Sequence, residues 1–213
     1  MDERRAVQLA YDEMADTYAE RGGGDSGPDS AEGHSVPEPV ERFRAELGPD
    51  DRLFDAGCGQ GEGLVATDAS AVGLDFSREQ LERARERTGG VADAELVQGD
   101  MTALPLRENA FDAVAAMYSL IHVPLDNHRT VIEEFARVLR PGGTLLVTEG
   151  CEEWVGSNPD WLDSGTEMRW SIAGEAATRE ELGAAGFDVR GVWDVPDPTT
   201  EDGSKPFFLA DLA

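Results

Sequence analysis

The stretch LFDAGCGQGEG, residues 53–63, ends an apolar run in an acid and then places glycine at every second position from Gly57 to Gly63. A short apolar run followed by bare backbone reads as a buried strand whose end makes room for a ligand. Glycine tolerates tight turns and lets another molecule approach the main chain. Asp55, ahead of the loop, narrows the choice: a carboxylate there sits badly beside a pyrophosphate and well beside an ammonium group.

From residue 51 onward the pattern is regular. Apolar runs at RLFDA (52–56), AVGLD (71–75), AELVQGD (94–100), FDAVAAMYSL (111–120) and TLLVTEG (144–150) read as strands. Between them lie helical patterns at SREQLERARERT (77–88), with Ser77 and Gln80 spaced as a capping box, and at DNHRTVIEEFARVLR (126–140), stopped by PGG. A helix at TREELGAAG (178–186), with Thr178 and Glu181 as a second box, precedes FDVRGVW (187–193) and PFFLADL (206–212). Turn-rich DVPDPTTEDGSK (194–205) separates those two strands without a crossover helix, so the last strand pairs antiparallel. The prediction is an α/β fold: a doubly wound, seven-stranded, mostly parallel, Rossmann-like sheet with the last strand antiparallel.

Residues 1–50 read as cap helices and a linker, and residues 51–213 as the ligand-binding domain. Val7, Tyr11, Met14 and Tyr18 form one stripe of a helix over 3–20, and PEPVERFRAEL (37–47) is a short helix. Glycine-, serine- and aspartate-rich RGGGDSGPDSAEGHS (21–35) joins them. An insert at about 151–176 carries Trp154, Trp161 and Trp170. Its rings either wall a pocket at the strand ends or pack the insert onto the sheet.

Three aspartates follow consecutive strands: Asp55, Asp75 and Asp100. In an open α/β sheet these ends line the ligand crevice. Gly57, Gly59 and Gly61 open the backbone, and the following helix start favours a phosphate or a carboxylate. Asp75 is placed to accept from two ribose hydroxyls, and Asp100 from an exocyclic amine such as that of adenine. A dinucleotide fingerprint matches poorly: counted from Gly57 its third glycine falls on Glu62, from Gly59 on Leu64, and only from Gly61 does Ala66 fit, too far beyond the strand's end. No G-K-[ST] follows the loop, so the phosphate-cradling P-loop fails too. A ligand with carboxylate, ammonium, ribose and adenine is S-adenosyl-L-methionine.

The segments DAGCGQG, GLDFS, VQGDMTALPL, FDAVAAMYSLIHV and RVLRPGGTLLV, in that order, resemble class I S-adenosylmethionine-dependent methyltransferases of the small-molecule type. YDEMADTYAE (11–20) is similar to the family's amino-terminal helix that covers the cofactor. The resemblance implies that Asp55, Gly57, Gly59 and Gly61 hold the methionine part, with Cys58 carried in the loop. It implies Asp75 at the ribose, Phe76 beside the adenine, Asp100 and Met101 at the adenine, and Tyr118 near the sulfonium. One departure is EGLVATDAS (62–70), a short, poorly helical stretch where the family has its first helix.

Methyl transfer from a sulfonium is an in-line displacement that needs alignment more than a dedicated catalytic residue. If the acceptor is a hydroxyl or ammonium, a base must take its proton, and His122 in SLIHVP is placed for this or else fixes the turn. His34 lies in the linker and His128 on a polar helix start. Tyr18 and Tyr118 either face the sulfonium or pack. No spacing suggests a metal site. The alternatives are a binding module that transfers nothing and, less well matched, a nicotinamide-dependent oxidoreductase.

Acids outnumber bases 44 to 18, for a formal net charge of −26, and Lys205 is the sole lysine. Such a surface repels nucleic acid and anionic membrane, and MYSL (117–120) stands where amino-methylating nucleic-acid enzymes carry an NPPY-like tetrad. The expected partner is therefore a small-molecule methyl acceptor, partly apolar or aromatic by the tryptophans. Two cysteines make no disulfide framework, and charged MDERRAVQ lacks a signal peptide's apolar stretch, so the expectation is a cytoplasmic protein. Acidity spread along the whole chain reads as a solvation strategy for concentrated salt. The unfolding midpoint should rise from dilute buffer to molar KCl, and an unchanged midpoint would discount the halophilic reading.

Overall fold

The computed structural model describes residues 3–20, 36–89, 94–197 and 203–213. The linker over 21–35, with His34, lies outside the described residues, as does the centre of the 194–205 loop.

The strands are β1 (Arg52–Ala56), β2 (Ser70–Asp75), β3 (Ala94–Gln98), β4 (Phe111–Ala116), β5 (Leu139–Thr148), β6 (Trp154–Asn158), β7 (Met168–Ile172), β8 (Phe187–Pro196) and β9 (Ser204–Leu212). Seven of them form one sheet in the order β3-β2-β1-β4-β5-β9-β8, and β6 and β7 form a separate hairpin. The first five run parallel, and β9 is antiparallel to both β5 and β8, as the missing crossover helix predicts. The helices are α1 (Glu3–Glu13), α2 (Ala15–Glu20), α3 (Glu38–Ala45), α4 (Glu62–Val65), α5 (Arg78–Thr88), α6 (Leu125–Val138) and α7 (Glu175–Ala184).

Alternation along β1 divides the core. Leu53 faces Val40 and Phe43 of α3 and Leu81 of α5, while Phe54 and Ala56 face Phe135 of α6 and Leu182 of α7. With both faces covered, central strands such as β4 are nearly continuously apolar. A third cluster sits above the strand ends. Val7, Ala10 and Met14 of the amino-terminal helices pack with Met168 of β7, and Tyr11, Tyr18, Trp161 and Trp170 surround them. The insert's tryptophans thus clamp the amino-terminal cover, rather than lying on the sheet.

Several local expectations need correction. The 3–20 helix is jointed at Met14, although its hydrogen bonds continue through the joint from Met14 N to Ala10 O and from Tyr18 N to Met14 O. The fourth strand stops at Ala116. Tyr118 takes a left-handed backbone (φ 54°) and gives its N–H to Thr148 Oγ1 at 2.6 Å, and residues 120–122 form a short 3-10 turn. An apolar run alone does not separate these outcomes. The fifth strand begins at Leu139, directly after α6, with an irregular register against β4 through the PGG segment.

Helix α7 begins at Glu175 behind Gly174, so Thr178 is interior and its hydroxyl donates back to Gly174 O at 2.8 Å. The second capping box does not form, because Ser and Thr make that back-bond inside helices too. The first box forms by half, with Gln80 N donating to Ser77 Oγ.

Trp170 meets Trp161, Trp154 and His122 at ring-centroid distances of 4.9, 6.3 and 5.9 Å. Trp170→Ala should speed amide exchange in α1 roughly tenfold while the amides of β1 and β4 keep their protection. Equal acceleration throughout the sheet would contradict a locally clamped cover.

Candidate functional site

A cleft enclosing about 1090 Å³, its mouth included, opens above the carboxyl ends of β1, β2 and β4. Its floor holds Asp55, Gly57, Cys58, Gly59 and Asp75. Phe76, Asp100, Met101, Tyr118 and His122 line its sides, and Tyr11 and Tyr18 reach it from the amino-terminal helices. Of the site residues expected from sequence, only Gly61 is off the cleft surface. It turns the loop from behind, giving its N–H to Cys58 O at 2.9 Å.

The glycine loop works by space. Gly57 has φ 78°, and a Cβ on it would lie 2.4 Å from Ser119 Cβ, so no other residue fits. Its amides are spent within the protein: Gly57 N and Cys58 N both donate to Leu74 O, at 2.7 and 3.0 Å, and Gly59 N to Asp75 Oδ2 at 2.9 Å. The expectation that these amides and a helix start would greet an anion is corrected here. The donors are taken, and α4 has only 4 residues. Gly63, the last glycine of the run, has its own reason: a Cβ there would lie 2.6 Å from Asp55 Oδ2.

The electrostatics point to a cation. Asp55 is 5% exposed and Asp75 7%, and neither makes an ion pair among the described residues. Burial, reinforced by Glu62 and Asp75, pushes the Asp55 carboxyl up to about 7. Asp75 rises to about 6 through burial, held back by the N–H groups of Ser77, Gly59 and Phe76. Burial also raises the Tyr11 and Tyr18 phenols, so the roof is neutral, and it raises the Cys58 thiol, which stays protonated and is no nucleophile.

Asp100 differs from its two fellows. Its carboxylate is 44% exposed and already bonded: Oδ2 accepts from Arg4 Nη1 at 3.0 Å, and Oδ1 from Thr102 N and Oγ1 at 2.8 and 2.7 Å. His122 is engaged at both nitrogens. Nδ1–H donates to Arg169 O at 2.9 Å, which leaves Nε2 to accept from the Tyr11 hydroxyl, also at 2.9 Å. Burial lowers its pKa to about 4, so the ring is neutral at physiological pH. His128 is wholly buried instead of lying on a polar surface, with Nε2 donating to Val123 O.

Sequence reasoning missed Arg4, Tyr11, Gln60, Gly63 and Gln80 as cleft residues. Tyr11 shares its helical stripe with Tyr18, and Gly63 ends the glycine run, so both carried a readable signal. Gln80 was masked by its apparent role as a cap. Among the described residues, no group of three or more His, Cys, Asp or Glu side chains is arranged to hold a metal, and no helix is long and apolar enough to cross a membrane.

The doubly wound sheet carries an acidic, glycine-floored cleft at its strand ends, and the fold is that of class I S-adenosylmethionine-dependent methyltransferases. Residues 54–147, under half of the chain, match the family described as "Methyltransferase domain". Demethylmenaquinone methyltransferase of Staphylococcus aureus is 33% identical over 104 residues, which cover 46% of this chain and 42% of that relative's length. The chain therefore spans less than half of the curated relatives it matches. A methyltransferase structure from Methanosarcina mazei superposes with a TM-score of 0.69 at 19% identity, covering 83% of this chain and 98% of that one. The cyclase SpnF superposes with a TM-score of 0.75 at 21% identity, covering 97% and 94%.

Raised carboxyl pKa values set a direction for stability. The folded protein keeps protons on Asp55 and Asp75 that the unfolded chain, with carboxyls near 3.8, has released. Their contribution is favourable at low pH and is lost as pH climbs through about 6 to 7. The ligand-free unfolding midpoint should fall across this window, and Asp55→Asn should shrink the fall. An unaltered pH profile in that variant would contradict the burial account.

Proposed function

We propose that the protein transfers a methyl group from S-adenosylmethionine to a small, uncharged acceptor. The observation that carries this reading is the pair of buried carboxyl groups, Asp55 and Asp75, sharing one cleft and making no ion pair among the described residues. A ligand bearing an ammonium and a sulfonium supplies positive charge, and the open space over Gly59 leaves it room. S-Adenosylmethionine, when bound, supplies a methyl group on a positively charged sulfur.

The chain's residues then divide the remaining work. Asp55 faces the ammonium. Asp75, its two oxygens already braced by Gly59 and Ser77, accepts from the ribose hydroxyls with no freedom to rotate. Phe76 and Met101 flank the adenine, and Asp100, steadied by Arg4, uses its remaining lone pair for the exocyclic amine. Tyr11, Tyr18 and Tyr118 exclude water and offer aromatic faces to positive charge. His122 holds Tyr11 in place; neutral and bonded at both nitrogens, it positions the roof instead of taking a proton. Rate comes from alignment and exclusion of water.

The acceptor side favours an uncharged molecule. Met117, Tyr118 and Val123 are apolar or aromatic, and the carboxylates in the cleft repel an anion. The relative named for demethylmenaquinone supports a small, ring-bearing apolar acceptor. The net charge of −26 weighs against nucleic acid.

Calorimetric titration in molar KCl should show saturable S-adenosylmethionine binding, reduced on the order of 100-fold in Asp75→Ala by loss of hydrogen bonds to a charged group. Release of S-adenosylhomocysteine with small phenolic or quinol acceptors should follow. Binding without any release would favour the non-transferring module, and no binding by folded protein would end this reading.

A further inference from the structure

Two titratable side chains are buried together at the stem of the tryptophan-bearing hairpin. Glu149 directly follows β5 and His128 lies in the first turn of α6; both are shut off from solvent, and neither lines the cleft. The Glu149 carboxyl spans the two feet of the insert: Oε1 accepts from Gly150 N at 3.2 Å and Oε2 from Ala173 N at 3.4 Å. His128 gives its Nε2–H to Val123 O at 2.8 Å, in the turn that walls the cleft. The two side chains meet across 3.8 Å, from His128 Nδ1 to Glu149 Oε2.

Each group lacks what the other can supply. With its hydrogen on Nε2, a neutral imidazole leaves Nδ1 as a bare lone pair, and that atom has no hydrogen-bond partner among the described residues. An ionised Glu149 would be a buried charge resting on two long N–H bonds. Glu181 of α7 adds like charge, while Lys205 of β9, itself paired with Asp197, opposes it. Glu181 in turn feels Arg129 of α6 and its own neighbour Glu180. A protonated Glu149 needs an acceptor for its hydrogen, and Nδ1 is one. Burial raises Glu149 to about 7 and lowers His128 from its usual 6.5, the carbonyls of Val123 and Ser171 opposing the second shift. The folded pair thus holds one proton, on the carboxyl.

We propose that Glu149 and His128 share this proton as a latch between the hairpin stem and the turn after β4. When the stem lifts, the carboxyl meets water and ionises, the imidazole is uncovered, and the proton passes from Glu149 Oε2 to His128 Nδ1. Between the ordinary values of the two groups, 4.5 and 6.5, opening then neither takes up nor releases a proton. Alone, a carboxyl with a raised pKa would loosen the stem as pH rises, and an imidazole with a lowered pKa would loosen it as pH falls. Together they hold it equally firmly across that window. The inference goes beyond cofactor binding and does not depend on it.

The test is amide hydrogen exchange on the ligand-free full chain and its variants His128→Gln and Glu149→Gln, corrected for intrinsic rates. Amides of β6 and β7 read the stem; those of β1 and β4 read whole-molecule unfolding, in which Asp55 and Asp75 take part. In the parent, stem protection should change less than about twofold between about pH 5 and pH 6. In His128→Gln the carboxyl proton is lost to water on opening, so protection should fall with pH, by up to about tenfold per unit. In Glu149→Gln the imidazole gains a proton only when open, so protection should rise with pH, by up to about tenfold per unit. Slopes of the same sign in the two variants, flat profiles in both, or a steep slope in the parent would overturn the proposal. One further measurement needs no variant to fold. The carboxyl-carbon NMR signal of Glu149 in the folded parent should be that of a protonated acid at about pH 6, and an ionised signal there would overturn the latch outright.

Discussion

One carboxylate organises the site. Asp75 ends β2 and is shut away from water, yet its two oxygens hold the glycine loop through Gly59 N and the start of α5 through Ser77 N. Those bonds add to the ones Leu74 O takes from Gly57 N and Cys58 N, and they matter because α4 is a single turn with few backbone bonds of its own. The same bonds limit how far burial raises the Asp75 pKa. Loop shape, helix start and cleft electrostatics thus meet at one side chain.

Much of this was legible in the letters. The mostly parallel sheet followed from apolar runs alternating with 3.6-period helices, and the final antiparallel strand from the absence of a crossover-helix pattern. Asp55, Asp75 and Asp100 were found by their position at strand ends. The remainder depended on tertiary competition, which a linear pattern does not encode. Ser77 and Gln80 have capping-box spacing, but Asp75 wins the Ser77 N–H. The glycine loop carries amides enough for an anion, but Leu74 and Asp75 take them first. Tyr118 reads as strand until its N–H finds Thr148 across the sheet. In each case a local rule was outbid by a partner distant in sequence or set by the sheet.

Charge has opposite meanings outside and inside this molecule. On the surface, carboxylates are hydrated, and their mutual repulsion is weakened by dissolved salt. In the cleft, Glu62 and Asp75 add to the burial that raises the Asp55 pKa, in a poorly hydrated space that salt screens far less. The first population adjusts to the solvent, and the second calls for a cationic ligand. An acidic composition conceals the second within the first, which is why position, and not residue count, identified the site.

The imidazole of His122 joins two covers that are far apart in the chain. Tyr11 on α1 donates to one nitrogen, and the carbonyl of Arg169 on β7 accepts from the other. If the amino-terminal helix lifts away, a buried ring nitrogen loses its donor; if the hairpin lifts, a backbone carbonyl loses its own. Both covers are thus fastened to one ring in the turn after β4, so losing that ring would loosen the amino-terminal helix and the hairpin together.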